Sequence, residues 1–206
     1  MGIIVQKFGG SSVATLEKLE KVSEHIIEEI NKKNQVVVVV SAQGKTTDRL
    51  IAEEKEVTKK VYPREHDVLV SVGEQITIAK LAMLLKSKNY NAVSLCGWQI
   101  PILTDSNYTN SRIRYIHNET INEYLRTGNI VIVAGFQGID ENGNITTFGR
   151  GGSDTTAVAL AASLDAERCD IFTDVDGVYS ADPRIVDTVK KIKKIFYEEM
   201  LELSSM

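Results

Sequence analysis

The sequence predicts an α/β layered domain on a mainly parallel sheet, and three patterns carry that expectation. Residues 36–40 are five consecutive valines, the continuous β-branched run of a strand buried on both faces. Strand-like runs alternate along the chain with segments whose apolar residues recur at helical spacing, as strand–helix–strand units require. The run Gly149-Arg150-Gly151-Gly152-Ser153-Asp154 leads into an alanine-rich segment, as a tight loop opens a helix.

In chain order, residues 3–8 form a short strand, and Gly9-Gly10-Ser11-Ser12 is a turn. Val13, Leu16, Leu19, Val22, Ile26, Ile27 and Ile30 then mark one face of a helix. After the valine strand, Thr46-Thr47-Asp48 can cap the next helix. Charge dominates residues 53–65, as on solvated helix faces. A single longer helical pattern covers about 68–85 and carries Gly73-Glu74 within it. Residues 92–95 and 130–134 are further strands. Residues 139–147 read as a hairpin with Asn142-Gly143 at its turn. Residues 153–164 form the alanine-rich helix, 170–173 a strand, and Asp174-Val175-Asp176-Gly177 an acidic turn. Residues 198–205 have helical character.

A length of 206 residues allows a sizeable core in one domain or one two-lobed domain. The net charge of −4 gives no footprint for nucleic acid or for an anionic membrane surface, so neither partner is expected. No apolar run in the sequence approaches the length of a membrane span, and the first residues lack a signal-peptide pattern. Cys96 and Cys169 are far apart without metal or redox spacing, which fits reduced thiols in the cytoplasm.

Candidate chemistry concentrates in the glycine-rich loops. Amide groups and the helix dipole after Gly149 suit an anion, and Arg150 can hold a carboxylate at two points. Lys7, before Gly9-Gly10, can reach phosphate oxygens; from this segment alone, a solvated lysine beside a turn explains it equally. Ser41 and Thr47 offer hydroxyls to a substrate, or merely cap a helix. Gly44-Lys45-Thr46 is not a phosphate loop, because Val39 stands where the pattern needs glycine. Asp174 and Asp176 fail the calcium-loop register, with Phe172 and Pro183 at ligand positions. Glu74 is either a paired glutamate or, if buried, a group for recognising an amino group. His25, His66 and His117 form no constellation, and Trp98 reads as a core residue.

Taken together, several segments resemble the catalytic domain of the aspartokinases, in the amino acid kinase family. They are Lys7-Phe8-Gly9-Gly10-Ser11-Ser12-Val13, Val39-Val40-Ser41-Ala42, Thr47-Asp48, Ser71-Val72-Gly73-Glu74, the run from Gly149 to Ala157, Phe172-Thr173-Asp174-Val175-Asp176-Gly177-Val178-Tyr179 and Asp182-Pro183-Arg184. The resemblance implies a three-layer α/β/α sandwich over residues 1–206, with a substrate lobe at about 1–138 and part of a nucleotide lobe at 139–206. It implies phosphoryl transfer from ATP, carried with Mg²⁺, to the side-chain carboxylate of L-aspartate, without a protein metal site. Lys7 and Asp154 would be catalytic. Ser41, Thr47, Glu74, Phe136, Arg150 and Ser153 would hold aspartate. Lys7, Phe8, Gly9, Gly10, Thr173, Asp174, Tyr179 and Arg184 would hold ATP. Family members continue into a further lysine-bearing segment and two ACT-type regulatory modules, so the resemblance implies a truncated catalytic domain. It also implies a homo-oligomer. Another member of the amino acid kinase family, acting on acetylglutamate, glutamate, carbamate or a nucleoside monophosphate, and a non-catalytic nucleotide-binding fragment are the competing expectations.

Overall fold

The computed structural model describes residues 2–174, 177–179, 188–196 and 199–200. Its elements run β1 (Ile3–Phe8), α1 (Leu16–Asn31), β2 (Gln35–Val40), α2 (Thr46–Val57), α3 (Pro63–Val70), α4 (Val72–Ser87), β3 (Ala92–Leu95), β4 (Ile102–Thr104), β5 (Ile113–Ile116), α5 (Glu119–Arg126), β6 (Ile130–Ala134), β7 (Gln137–Ile139), β8 (Ile145–Thr147), α6 (Gly152–Ser163) and β9 (Arg168–Phe172). The chain divides into two compact units, residues 1–173 and 174–206.

The valine run is the middle of the main sheet. Five strands lie in the order β3-β6-β2-β1-β9, every neighbouring pair parallel. Alternation along β2 splits its side chains between two cores. Val36, Val38 and Val40 pack with Leu19, Val22 and Ile26 of α1 and Ile78, Leu81 and Leu85 of α4. Val37 and Val39 pack with Ile121 and Leu125 of α5 and Ala157 and Leu160 of α6. All five valines are wholly buried, and each removes enough apolar surface to contribute about 1.5 kcal/mol or more. Helices thus cover both faces of a parallel sheet, which is the predicted α/β/α layering.

A second sheet, in the order β5-β4-β7-β8, was not foreseen. The β7–β8 hairpin within it was: Gly143 takes the left-handed conformation (φ 78°), and Asp140 accepts the amides of Asn142 and Asn144. The expected single helix over 68–85 is broken at Ser71, between α3 and α4. The two halves follow so closely that Pro63–Ser87 has the length and apolarity of a membrane span, but half of that window is buried inside the protein. Asp67 of α3 is fully buried. It accepts the Thr109 amide at 3.0 Å and the amide and hydroxyl of Thr147 at 2.9 Å each. Trp98, expected in the core, is instead 37 % exposed, on the turn after β3. That turn is shaped by Gly97, where a Cβ would meet the Gln137 carbonyl oxygen at 2.6 Å.

In the second unit, Tyr179 and Lys191 form an antiparallel bridge, and the Ile192 amide donates to the Val178 carbonyl at 2.8 Å.

Candidate active site

Two loops leave the carboxyl ends of β1 and β2 side by side. The Ser41 amide donates to the Phe8 carbonyl, and the Gly44 amide to the Gly10 carbonyl at 2.9 Å. Contact is so close that a Cβ on Gly10 would lie 2.8 Å from the Ala42 carbonyl oxygen. This explains glycine there without any unusual backbone angle. Phe8 turns into the core, 1 % exposed and stacked on Phe172 at 4.5 Å, and so fixes where the backbone of the first loop begins.

Lys7 alternates with Phe8 and faces the other side of the sheet, toward α6. Its ammonium lies 2.7 Å from Asp154 Oδ1, with only a tenth of the lysine side chain exposed. Asp154 sits in the first turn of α6. There a negative side chain is favoured by the helix dipole as well as by the lysine. The loop before α6 turns through left-handed glycines at Gly149 (φ 74°) and Gly151 (φ 72°). Gly152 and Gly135 are glycine for a different reason: added Cβ atoms would meet the Phe136 ring and Ser153 Oγ, each at 2.7 Å. Phe136 itself is left-handed (φ 70°), with its amide held by Thr156 Oγ1 at 3.0 Å. A bulky residue in that conformation is strained, a condition concentrated at ligand sites.

Glu74 enters from the first turn of α4 and is 3 % exposed. Its Oε1 accepts the Ala42 amide at 2.9 Å, while Oε2 has no hydrogen-bond partner among the described residues. Burial pushes its pKa up to about 7, against the lowering effect of the Ala42 amide. Gly73 lets α4 approach, since a Cβ there would be 2.7 Å from that of Ala42.

These parts enclose one hollow of about 360 Å³, a size suited to a small ligand. Lys7, Gly9, Gly10, Ser41, Thr47, Glu74, Phe136, Ser153 and Asp154 all line it. Arg150 is exposed on the loop between two lining glycines but is not itself a lining residue. Thr173 closes the first unit and is exposed; Asp174 and Tyr179 belong to the second unit. Arg184 and Asp176 lie outside the described residues. Sequence reasoning missed Ala42, whose contribution is a backbone amide that no side-chain pattern reports. Among the described residues, no group of three or more His, Cys, Asp or Glu could hold a metal ion. The hollow therefore offers a lysine, glycine loops and a helix N-terminus to negative charge, and a buried carboxylate with a spare oxygen to a cation.

The chain belongs to the amino acid kinase family, whose model covers residues 2–206. Its relatives within that family include aspartokinases. The aspartokinase of Geobacillus stearothermophilus is 58 % identical over the whole chain, which corresponds to 51 % of that relative. The chain thus spans about half the length of the curated relatives it matches. Among solved structures, aspartate kinase from Synechocystis superposes with a TM-score of 0.84 at 44 % identity, covering 98 % of this chain and 33 % of that one. E. coli aspartokinase III in complex with aspartate and ADP superposes with a TM-score of 0.85 at 27 % identity, covering 98 % of this chain and 56 % of that one.

Proposed function

We propose that the chain is the catalytic part of an aspartate kinase, transferring the γ-phosphoryl group of Mg-ATP to the side-chain carboxylate of L-aspartate. The product is 4-phospho-L-aspartate, the first intermediate toward lysine, threonine and methionine. One observation carries this reading: the Lys7–Asp154 pair and the half-partnered carboxylate of Glu74 line the same small hollow.

The attacking carboxylate needs no general base, because free aspartate is ionised at neutral pH with a side-chain pKa of about 3.9. An aspartate oxygen forms a bond to the γ-phosphorus as the bond from that phosphorus to the β–γ bridging oxygen breaks, and ADP leaves with the electron pair. The obstacle is repulsion between two anions. Lys7 and the amides of Gly9 and Gly10 lower it at the phosphoryl group, with Phe8 setting the loop and Asp154 aiming the lysine. Glu74 takes the ammonium of aspartate. The family resemblance assigns Arg150, exposed beside the hollow, to the α-carboxylate, and Ser41, Thr47, Phe136 and Ser153 complete the pocket. Mg²⁺ arrives with ATP and neutralises its phosphates. The family resemblance assigns Thr173, Asp174, Tyr179 and Arg184 to the nucleotide. Free thiols at Cys96 and Cys169 fit a cytoplasmic enzyme, and the family resemblance favours a homo-oligomer.

Hydroxylamine traps acyl phosphates as hydroxamates, so a panel of small acids with Mg-ATP tests the proposal in the full chain. Hydroxamate from L-aspartate, and little from glutamate or acetylglutamate, is expected. Turnover of another acid with none of aspartate overturns it.

A further inference from the structure

We infer that Asp67, Gln137 and Thr147 are positioning residues for Glu74, forming a grip that sets the affinity for the amino acid without touching it; this builds on the functional reading above. Gln137 and Thr147 are directly opposed partners on β7 and β8. Both are buried, at 0 % and 1 % exposure. Thr147 gives its amide and its hydroxyl to the Asp67 carboxylate, 2.9 Å each. Gln137 Nε2 donates to the Ser71 carbonyl at 2.9 Å. Asp67 and Ser71 are four residues apart, so they stack one turn apart on a single helical face. One cross-strand pair thus holds one helix face at two successive turns, and the second hold falls at the α3–α4 junction, three residues before Glu74.

Glu74 needs this support. Among the described residues its side chain is anchored by the Ala42 amide on Oε1, with Oε2 left without a partner, and α4 starts without a side-chain cap. The direction of the spare oxygen must then come from the placement of the helix itself. Tolerance there is small, because even a Cβ added at Gly73 would lie 2.7 Å from that of Ala42. The same β7 segment sets a second wall of the site, since Phe136 immediately precedes Gln137. No side-chain bond of Asp67, Gln137 or Thr147 reaches Lys7, Gly9 or Gly10 among the described residues. The bonds of the grip therefore bear on the helix that carries Glu74 and not directly on Lys7, Gly9 or Gly10.

The test is steady-state kinetics of the full chain with Gln137→Met, Thr147→Val and Thr147→Ser. In Gln137→Met and Thr147→Val, KM for L-aspartate is expected to rise about tenfold, while kcat and KM for ATP stay within about twofold; small displacements of binding groups have effects of this order. Thr147→Ser, which keeps the hydroxyl, should stay near the unmodified chain. Should Gln137→Met fail to fold, the comparison of valine with serine at 147 decides. The inference is overturned if KM for aspartate is unchanged in the folded variants, if KM for ATP rises with it, or if serine is as harmful as valine. An unmodified chain with no use of aspartate removes the functional reading, and this inference with it. An unmodified chain that uses aspartate beside variants that use it equally well removes the inference alone.

Discussion

With one oxygen on the Ala42 amide and the other without a partner, Glu74 is a carboxylate that the fold dehydrates. Its pKa moves from 4.5 up to about 7, so the folded protein prefers it protonated. Stability from this preference is fully present below pH 4.5 and is lost as pH rises through about 7. Glu74→Gln keeps the shape without the titration. Between pH 5 and 8 the unfolding free energy of the unmodified chain should therefore fall relative to Glu74→Gln, by up to about 3 kcal/mol. Denaturant melts across that range check it; a constant difference would contradict it. Aspartate binding should strengthen over the same interval, because the ammonium requires the ionised carboxylate. In the same hollow, Lys7→Ala removes the buried cation and should lower kcat about 10³-fold, the scale of losing one electrostatic stabiliser. Single-turnover measurements would read that loss directly. The convergence of Lys7, Asp154 and Glu74 on one hollow was legible only through the family resemblance, since their own segments left Lys7 and Glu74 open. Ala42 was not, because its part is played by the main chain.

Among the elements, those with long periodic patterns were legible. The α1 stripe, the valine strand, β6 and the β7–β8 hairpin all formed where apolar spacing or turn residues placed them. The first turn was not wholly so: Val13 ends a short 3-10 turn, and α1 starts at Leu16 behind a Thr15 cap. The Ser71 break escaped notice because Val70 and Val72 continue the apolar pattern on either side. What marks the break is the remote Gln137 side chain, which no local spacing encodes. The second sheet was missed because β4, β7 and β8 have three residues each and β5 four, too few to show a period. Packing between loops yields the next prediction. Gly10→Ala must push the first loop away from the Ala42 carbonyl, costing about 1–3 kcal/mol. Because both loops line the hollow, activity should fall further than the shift in melting temperature explains. Gly143→Ala is the control: no atom lies near its missing Cβ, so it should cost about 1 kcal/mol of backbone strain and leave kinetics unchanged.

At the scale of the first unit, α1 and β9 are tied by Glu29. This buried carboxylate accepts Lys32 and Asn34 at 2.8 Å each and Arg168 at 2.7 Å. The Lys32 bond, with those of Asn34 and Arg168, outweighs burial and lowers its pKa to about 2. The sign is opposite to that of Glu74: this stability is present above pH 4.5 and is lost as pH falls through about 2. Glu29→Gln should cost about 2 kcal/mol at neutral pH, the scale of hydrogen bonds to a charged group. The gap between variant and unmodified chain should close below pH 4.5, as acid titrations followed by circular dichroism would show. The layered architecture was legible from strand–helix alternation, but this tie was not, since Glu29 and Arg168 lie 139 positions apart. A last consequence follows from the burial of β2. Its amides, paired on both sides and covered on both faces, should exchange with deuterium only when the whole unit opens. Slowing of that exchange by a dissolved compound would then report its affinity for the native state through mass action alone, giving a way to rank amino acids that needs no catalysis.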